Sequence, residues 1–195
     1  TDFTYSPTEN PEAGDTIRFQ STTENGNSFS WTFGEGGFSS EENPSYIYEQ
    51  AGSYDVNLTA TNDVGEQAKT KTLTINDPTN LGFMIVDSTK INPLPLEGAE
   101  VWLYDNLADM EGFEKPLRIE IADADGIVLF TNLDPITYYI WALKEEAGGV
   151  WAFGAGVEPL AQNETSLYLV PCDWYADQAK SSRSFANPVL LNLMK

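Results

Sequence analysis

Histidine is absent from this 195-residue chain, cysteine occurs once, as Cys172, and 10 basic residues face 30 acidic ones. Each shortage removes a class of chemistry. Without histidine there is no Ser-His-Asp or Cys-His catalytic set. Nor is there a histidine-ligated zinc or haem. A lone cysteine allows no disulfide within the chain and no four-cysteine metal site. A formal net charge of −20 repels phosphate backbones and anionic membrane surfaces, so neither nucleic acid nor such a membrane is an expected partner. No apolar run approaches the ~20 residues of a membrane-spanning helix. Two chemistries survive these exclusions because they need only oxygen: the carboxylate pair of a glycosidase and a calcium site. The chain begins at Thr1 rather than Met, so a leader or anchor removed upstream is an expectation.

What is present is a globular composition, 41% hydrophobic and 12% aromatic, which is enough to build a core despite the charge. Short alternating runs rich in Val, Ile, Thr, Tyr and Phe recur between clusters of Gly, Asn, Asp and Pro. That pattern predicts an all-β chain of β-sandwiches. Only Pro171 to Ser184 has any helical character. The turn-forming run Asn76-Asp77-Pro78-Thr79-Asn80 places a boundary that divides the chain into residues 1–77 and 78–195. Three basic and thirteen acidic residues precede it, and seven and seventeen follow, so each half carries −10. Acidity therefore belongs to both halves and reads as a solvated surface rather than one binding face.

In the first half, Tyr54-Asp55-Val56-Asn57-Leu58-Thr59-Ala60 puts an apolar residue at every second position, as a strand with one wet face does. Phe29, Trp31 and Phe33 alternate likewise and run into the flexible turn Gly34-Glu35-Gly36-Gly37. Trp31-Thr32-Phe33-Gly34-Glu35-Gly36 resembles the Trp-Asp-Phe-Gly-Asp-Gly signature of the polycystic kidney disease (PKD) domain family. Asn43-Pro44-Ser45-Tyr46, Gly52-Ser53-Tyr54-Asp55-Val56-Asn57-Leu58 and Asn62-Asp63-Val64-Gly65 extend the resemblance over about residues 1–77. The resemblance implies a seven-stranded immunoglobulin-like sandwich of the kind used extracellularly as a spacer or adhesive unit. Thr32 and Glu35 stand where that family has aspartates, which removes the first carboxylate of any ion network there. A calcium site on Glu35, Glu41 and Glu42 is the alternative to a purely structural Trp31, and consecutive Glu41-Glu42 would point to opposite sides of a strand.

The second half offers strands at Phe83 to Val86, Glu100 to Tyr104, Tyr138 to Ala142, Val150 to Val157 and Ser166 to Val170. Arg118 to Ile121 and Ile127 to Phe130 flank the turn Asp123-Ala124-Asp125-Gly126 and predict a hairpin. That turn fails as an EF-hand, because Ile127 and Val128 occupy the positions that need an oxygen ligand and a glycine. Pro95 to Leu103, followed by Asp123, Gly126, Val128, Phe130, Leu133, Pro135, Tyr138 and Ile140, resembles the carboxypeptidase regulatory-like and Cna B-type families. The resemblance covers about residues 81–143 and implies a transthyretin-like sandwich with a C-terminal extension. Cna B-type domains can carry a Lys-Asn isopeptide bond, for which no convincing trio is present. Cys172, among apolar residues, reads as a buried and inert thiol.

If Val101, Leu103, Val128, Phe130, Tyr138, Ile140 and Ala142 face the core, then Trp102, Tyr104, Ile127, Leu129, Tyr139, Trp141 and Leu143 face outward. So apolar an outer face must be covered or used. One expectation is that Cys172 to Met194 folds over it. A second is that it packs against the first domain or another subunit, and a third is that Trp102, Tyr104, Tyr139 and Trp141 form a flat strip that stacks on sugar rings, with those four as the candidate ligand-binding residues. No catalytic residue, metal ligand or cofactor is expected. The sequence thus predicts a non-enzymatic spacer or binding module, secreted or on a bacterial surface, including an outer-membrane lipoprotein whose leader has been removed. A surface glycan or protein is the expected partner. The alternatives are a carbohydrate-binding accessory protein of a glycan-uptake system and, less in keeping with small sandwiches, a carboxylate-pair glycosidase.

Overall fold

The computed structural model describes residues 1–176 and 189–190. The chain divides into two compact units, Thr1–Pro78 and Thr79–Lys195.

The first unit has seven strands in two sheets. β1 (Phe3–Ser6), β2 (Thr16–Ser21) and β5 (Ser45–Ile47) make one, in the order β1-β2-β5. β3 (Ser28–Thr32), β4 (Phe38–Ser39), β6 (Gly52–Asn62) and β7 (Gly65–Ile75) make the other, in the order β4-β3-β6-β7. Alternation drives the packing: Ile17 and Phe19 of β2, Trp31 of β3, Val56 and Leu58 of β6, and Leu73 and Ile75 of β7 point inward and are buried together. Aromatic rings fill the middle in edge and tilted contacts, with Phe3, Phe19 and Trp31 at centroid separations of 5.1 to 6.2 Å. The polar atoms of these rings are satisfied locally. Trp31 Nε1 donates to the Glu41 carbonyl at 2.9 Å, and the Tyr48 hydroxyl donates to the Phe33 carbonyl at 3.0 Å.

The second unit is built on one strand path, β10-β9-β12-β13-β14-β8-β11. Its strands are β8 (Asn80–Asp87), β9 (Glu100–Tyr104), β10 (Arg118–Ile121), β11 (Ile127–Phe130), β12 (Tyr138–Glu146), β13 (Gly149–Val157) and β14 (Thr165–Ala176). The long β14 lets the path double back. Its first eight residues pair in parallel with β8, and its last four pair antiparallel with β13. A two-residue β15 (Val189–Leu190) lies parallel to β13 farther along. Leu81, Phe83, Val101, Leu103, Val128, Phe130, Tyr138, Ile140, Tyr168 and Val170 meet between the two layers.

Two expectations are corrected here. Arg118–Ile121 and Ile127–Phe130 are not a hairpin: β10 pairs with β9 and β11 with β8. The Asp-Gly turn does form, since Gly126 N–H donates to the Asp123 carbonyl and the Asp123 carboxylate accepts from Asp125 and Ile127 N–H groups. It turns a corner between layers because buried Ala122 is tied to Ala99 by a backbone hydrogen bond. The second correction concerns helix. Pro171 to Ala176 continues strand β14, and residues 177–184 lie outside the described residues. A helix forms instead at α1 (Leu107–Gly112), with Asn106 as N-cap accepting from Asp109 N–H and Phe113 ending it in the left-handed conformation.

Candidate functional site

Strands β9 and β12 carry the four rings expected to bind sugar, and their register puts them on one face. Trp141 lies directly opposite Trp102, and Tyr139 opposite Tyr104. They do meet, but not as an open strip. Trp141 is 5% exposed and Tyr104 1%, while Trp102 and Tyr139 are half-buried. The cover is α1 with the residue that follows it. Met110 packs into the cluster, and the Phe113 ring stacks on Trp141 with centroids 4.9 Å apart. Trp141 Nε1 donates to the Met110 carbonyl at 2.8 Å, which fastens the helix to the sheet. On its other side Trp141 rests on β13 at Gly154, where a Cβ would come within 2.9 Å of the indole. The residues 172–194 expected as cover lie largely outside the described residues, and Met110 and Phe113 supply the contacts seen. Burial, aided by Asp109, raises the pKa of Tyr104. Trp102 remains the more accessible ring, its Nε1 held by Glu100 Oε2 at 2.9 Å.

A second aromatic set, absent from the expected sites, lies at the mouth of the same sandwich. The inward face of β12 runs from buried Ile140 and Ala142 to half-buried Lys144 and exposed Glu146, so the core stripe turns ionic toward the end of the strand. Lys144 pairs across the sheet with Trp151, and Trp151 with Trp174. The two indoles are 5.0 Å apart, inclined at 55°, and both are half-buried. Glu146 joins the row: its Oε1 is 3.0 Å from Lys144 Nζ and its Oε2 accepts from Trp151 Nε1 at 3.4 Å. Those two contacts hold the Glu146 carboxyl below the usual carboxylate range, with nearby Asp87 opposing the shift. Trp174 lies over Gly149, and its Nε1 has no acceptor among the described residues. The alternation of β12 carried past Ala142 reaches Lys144 and Glu146, but only the strand register brings Trp151 and Trp174 beside them.

The remaining candidates resolve plainly. Cys172 is 1% exposed, and burial pushes its thiol up to about 12, which leaves little nucleophilic thiolate at neutral pH. Among the described residues no three carboxylate or thiol groups are placed to hold a metal ion, and Glu35 lies beside Tyr46 and Tyr48, whose pKa values burial and that carboxylate raise. In the first unit a groove of about 430 Å³ is lined by Thr23, Glu24, Asn62 and Glu66 among others.

Two sandwiches in sequence, the first closed by a Trp-Thr-Phe-Gly-Glu-Gly turn, define a tandem module of immunoglobulin-like and transthyretin-like β-domains. Residues 2–75 match the family model of the PKD domain, and the N-terminal unit is a PKD domain. A 51-residue stretch is 43% identical to collagenase ColQ1 of Bacillus cereus (strain Q1), covering 26% of this chain and 5% of the collagenase. The chain thus spans a small fraction of that relative's length. The PKD1 domain of the Vibrio cholerae metalloprotease PrtV is 33% identical over 38% of this chain and 91% of that domain, with a TM-score of 0.32. Domains D2 and D3 of the major pilin SpaD from Corynebacterium diphtheriae cover 89% of this chain and 98% of theirs at 9% identity and a TM-score of 0.51, a likeness of fold. PKD domains are typically non-catalytic, extracellular or cell-surface modules. Among the described residues no helix is long and apolar enough to cross a membrane.

Proposed function

We propose that the chain is a non-catalytic binding module carried on the outside of a bacterial cell, with the PKD domain as spacer and the second sandwich as the part that recognises a partner. The observation that supports this division is where the aromatic side chains go. The first unit commits Phe3, Phe19, Trp31, Phe33 and Tyr48 to its interior. The second unit has indoles beyond those its core uses and leaves Trp102, Trp151 and Trp174 half-buried at its surface. Half-buried indoles offer both a flat apolar face and a polar N–H, the combination that recognition surfaces favour. An outer-membrane lipoprotein is the finer placement of the same reading.

Protease added to intact cells tests the location. The chain is expected to be cleaved without lysis, and protection until lysis overturns an external location. Turnover is tested by incubating the purified chain with polysaccharide and protein panels. No release of reducing ends or peptides is expected. Hydrolysis that a single carboxylate substitution abolishes would overturn the non-catalytic reading and favour a glycosidase.

A further inference from the structure

We propose that the mouth of the second sandwich, formed by Trp151, Trp174, Lys144 and Glu146, is a saccharide-binding subsite for a neutral polysaccharide. The inference rests on the reading of the second sandwich as a binding module and names its ligand class and site.

Placement carries it first. The three residues Lys144, Trp151 and Trp174 sit side by side on three adjacent strands, so a rigid sheet fixes their spacing. Two indoles here are more apolar surface than the core requires, because the core stripe has already given way to charge at Lys144 and Glu146. The C–H face of a pyranose matches an indole face, as flat apolar surfaces match one another. The polar groups then complete the match. Glu146, held by Lys144 at 3.0 Å and Trp151 at 3.4 Å, keeps its carboxylate pointed at the indole edge, where it accepts from a sugar hydroxyl. Lys144 Nζ and Trp174 Nε1, which has no acceptor among the described residues, supply donors to ring and hydroxyl oxygens. This alternation of flat apolar faces and paired donors and acceptors is what a polyhydroxylated ring presents. Because the indoles and the ion pair are already ordered, little side-chain entropy is lost on binding.

Charge selects among saccharides. The chain carries −20, and Glu146 and Asp87 lie near the mouth while Lys144 is already paired. Uronate or sulfate groups would be repelled there, so the ligand is neutral. The lidded cluster cannot take this role in the same way, since Trp141 and Tyr104 offer no exposed face.

Affinity electrophoresis of the whole chain through gels containing soluble β-glucan, xylan, galactomannan or starch tests the proposal, with polygalacturonate as the anionic control. Retardation is expected in at least one neutral gel and none in polygalacturonate. Trp174→Ala is expected to weaken that binding at least tenfold, and Phe38→Ala, at an exposed position of the first unit, to leave it within twofold. Trp151 also packs on the core, so Glu146→Gln, at an exposed position, serves as the variant that keeps the fold. It is expected to weaken binding several-fold with an unchanged melting curve. Full affinity in both Trp174→Ala and Glu146→Gln would overturn the site. Migration unchanged in every neutral gel would overturn the ligand class, and leaves the protease-accessibility and turnover results standing on their own.

Discussion

The two outer faces of the second sandwich are built alike and finished differently. Each seats large side chains over a strand glycine. On the β9-β12-β13 face Trp141 lies over Gly154. On the β11-β8-β14 face Leu129, Gly82 and Leu167 form one row and Ile127, Met84 and Leu169 the next, with Leu167 leaning over Gly82. The first face is closed by α1, whereas the second leaves Ile127, Leu129, Leu167 and Leu169 between 39% and 48% exposed. The difference follows from the chemistry of the rings. A bare indole of Trp141 would leave its N–H to water and its whole face wet, and the helix carbonyl of Met110 answers both needs at once. Aliphatic side chains have no polar atom to satisfy, and leucines spreading over a glycine already shield part of one another.

Removing the indole breaks the comparison most severely. Trp141→Ala takes away the seat on Gly154, the stack with Phe113 and the hydrogen bond to Met110. Deletion of a buried aromatic on this scale destabilises by about 3–5 kcal/mol. Urea unfolding followed by fluorescence should place the variant's midpoint far below that of the parent. A loss under about 1 kcal/mol would mean that α1 does not depend on this ring.

The glycine seats come next, and they should respond with different magnitudes. At Gly154 a Cβ meets the rigid, buried Trp141 ring at 2.9 Å, whereas at Gly82 it meets the far end of exposed Leu167 at 2.5 Å. Gly154→Ala is therefore expected to cost about 1–3 kcal/mol, as overpacking does. Gly82→Ala is expected to be near neutral, because Leu167 can swing aside and alanine restricts the unfolded strand more than glycine does. Equal losses at the two positions would remove the distinction between a fixed and a yielding neighbour. The helix cap ranks below these: Asn106→Ala removes the acceptor for Asp109 N–H and should cost about 1 kcal/mol, read as an earlier change in Trp fluorescence than in far-UV circular dichroism.

Much of this is legible in the amino-acid sequence. Period-two alternation marks Val101, Leu103, Val128, Phe130, Tyr138, Ile140 and Ala142 as core, and all seven are buried in one cluster. It also marks Ile127 and Leu129 as outward, where they are exposed. What alternation cannot show is which layer a strand joins. Arg118–Ile121 and Ile127–Phe130 look like a hairpin because the Asp-Gly turn between them is real, yet long-range pairing to β9 and β8 separates them. Alternation is equally silent about what lies outside a face. The six residues of α1 are too few to stand as a helix alone, so their signal is a capping Asn106 and the apolar Met110 rather than a periodic stripe. For the same reason the sequence marks Trp141 and Tyr104 as outward without showing that α1 is what covers them. Trp151 and Trp174 are not among the expected sites because their significance is a row across three strands, and a row exists only once the register is known.

The smallest effect belongs to the face that has no lid among the described residues. Leu129→Ser and Leu167→Ser each exchange a half-exposed aliphatic side chain for a hydroxyl that water can satisfy. If that face is wet in the folded chain, each change should alter stability by less than about 0.5 kcal/mol. Each should also lower retention on a hydrophobic-interaction column, because an exposed apolar patch governs that retention directly. A loss of about 2 kcal/mol at either leucine would carry the opposite meaning, since only a side chain removed from water on both sides commits that much free energy. The two outer faces would then differ only in what covers them, a helix on one and a surface yet to be located on the other. The glycine seats would be a preparation for burial on both sides of the sandwich.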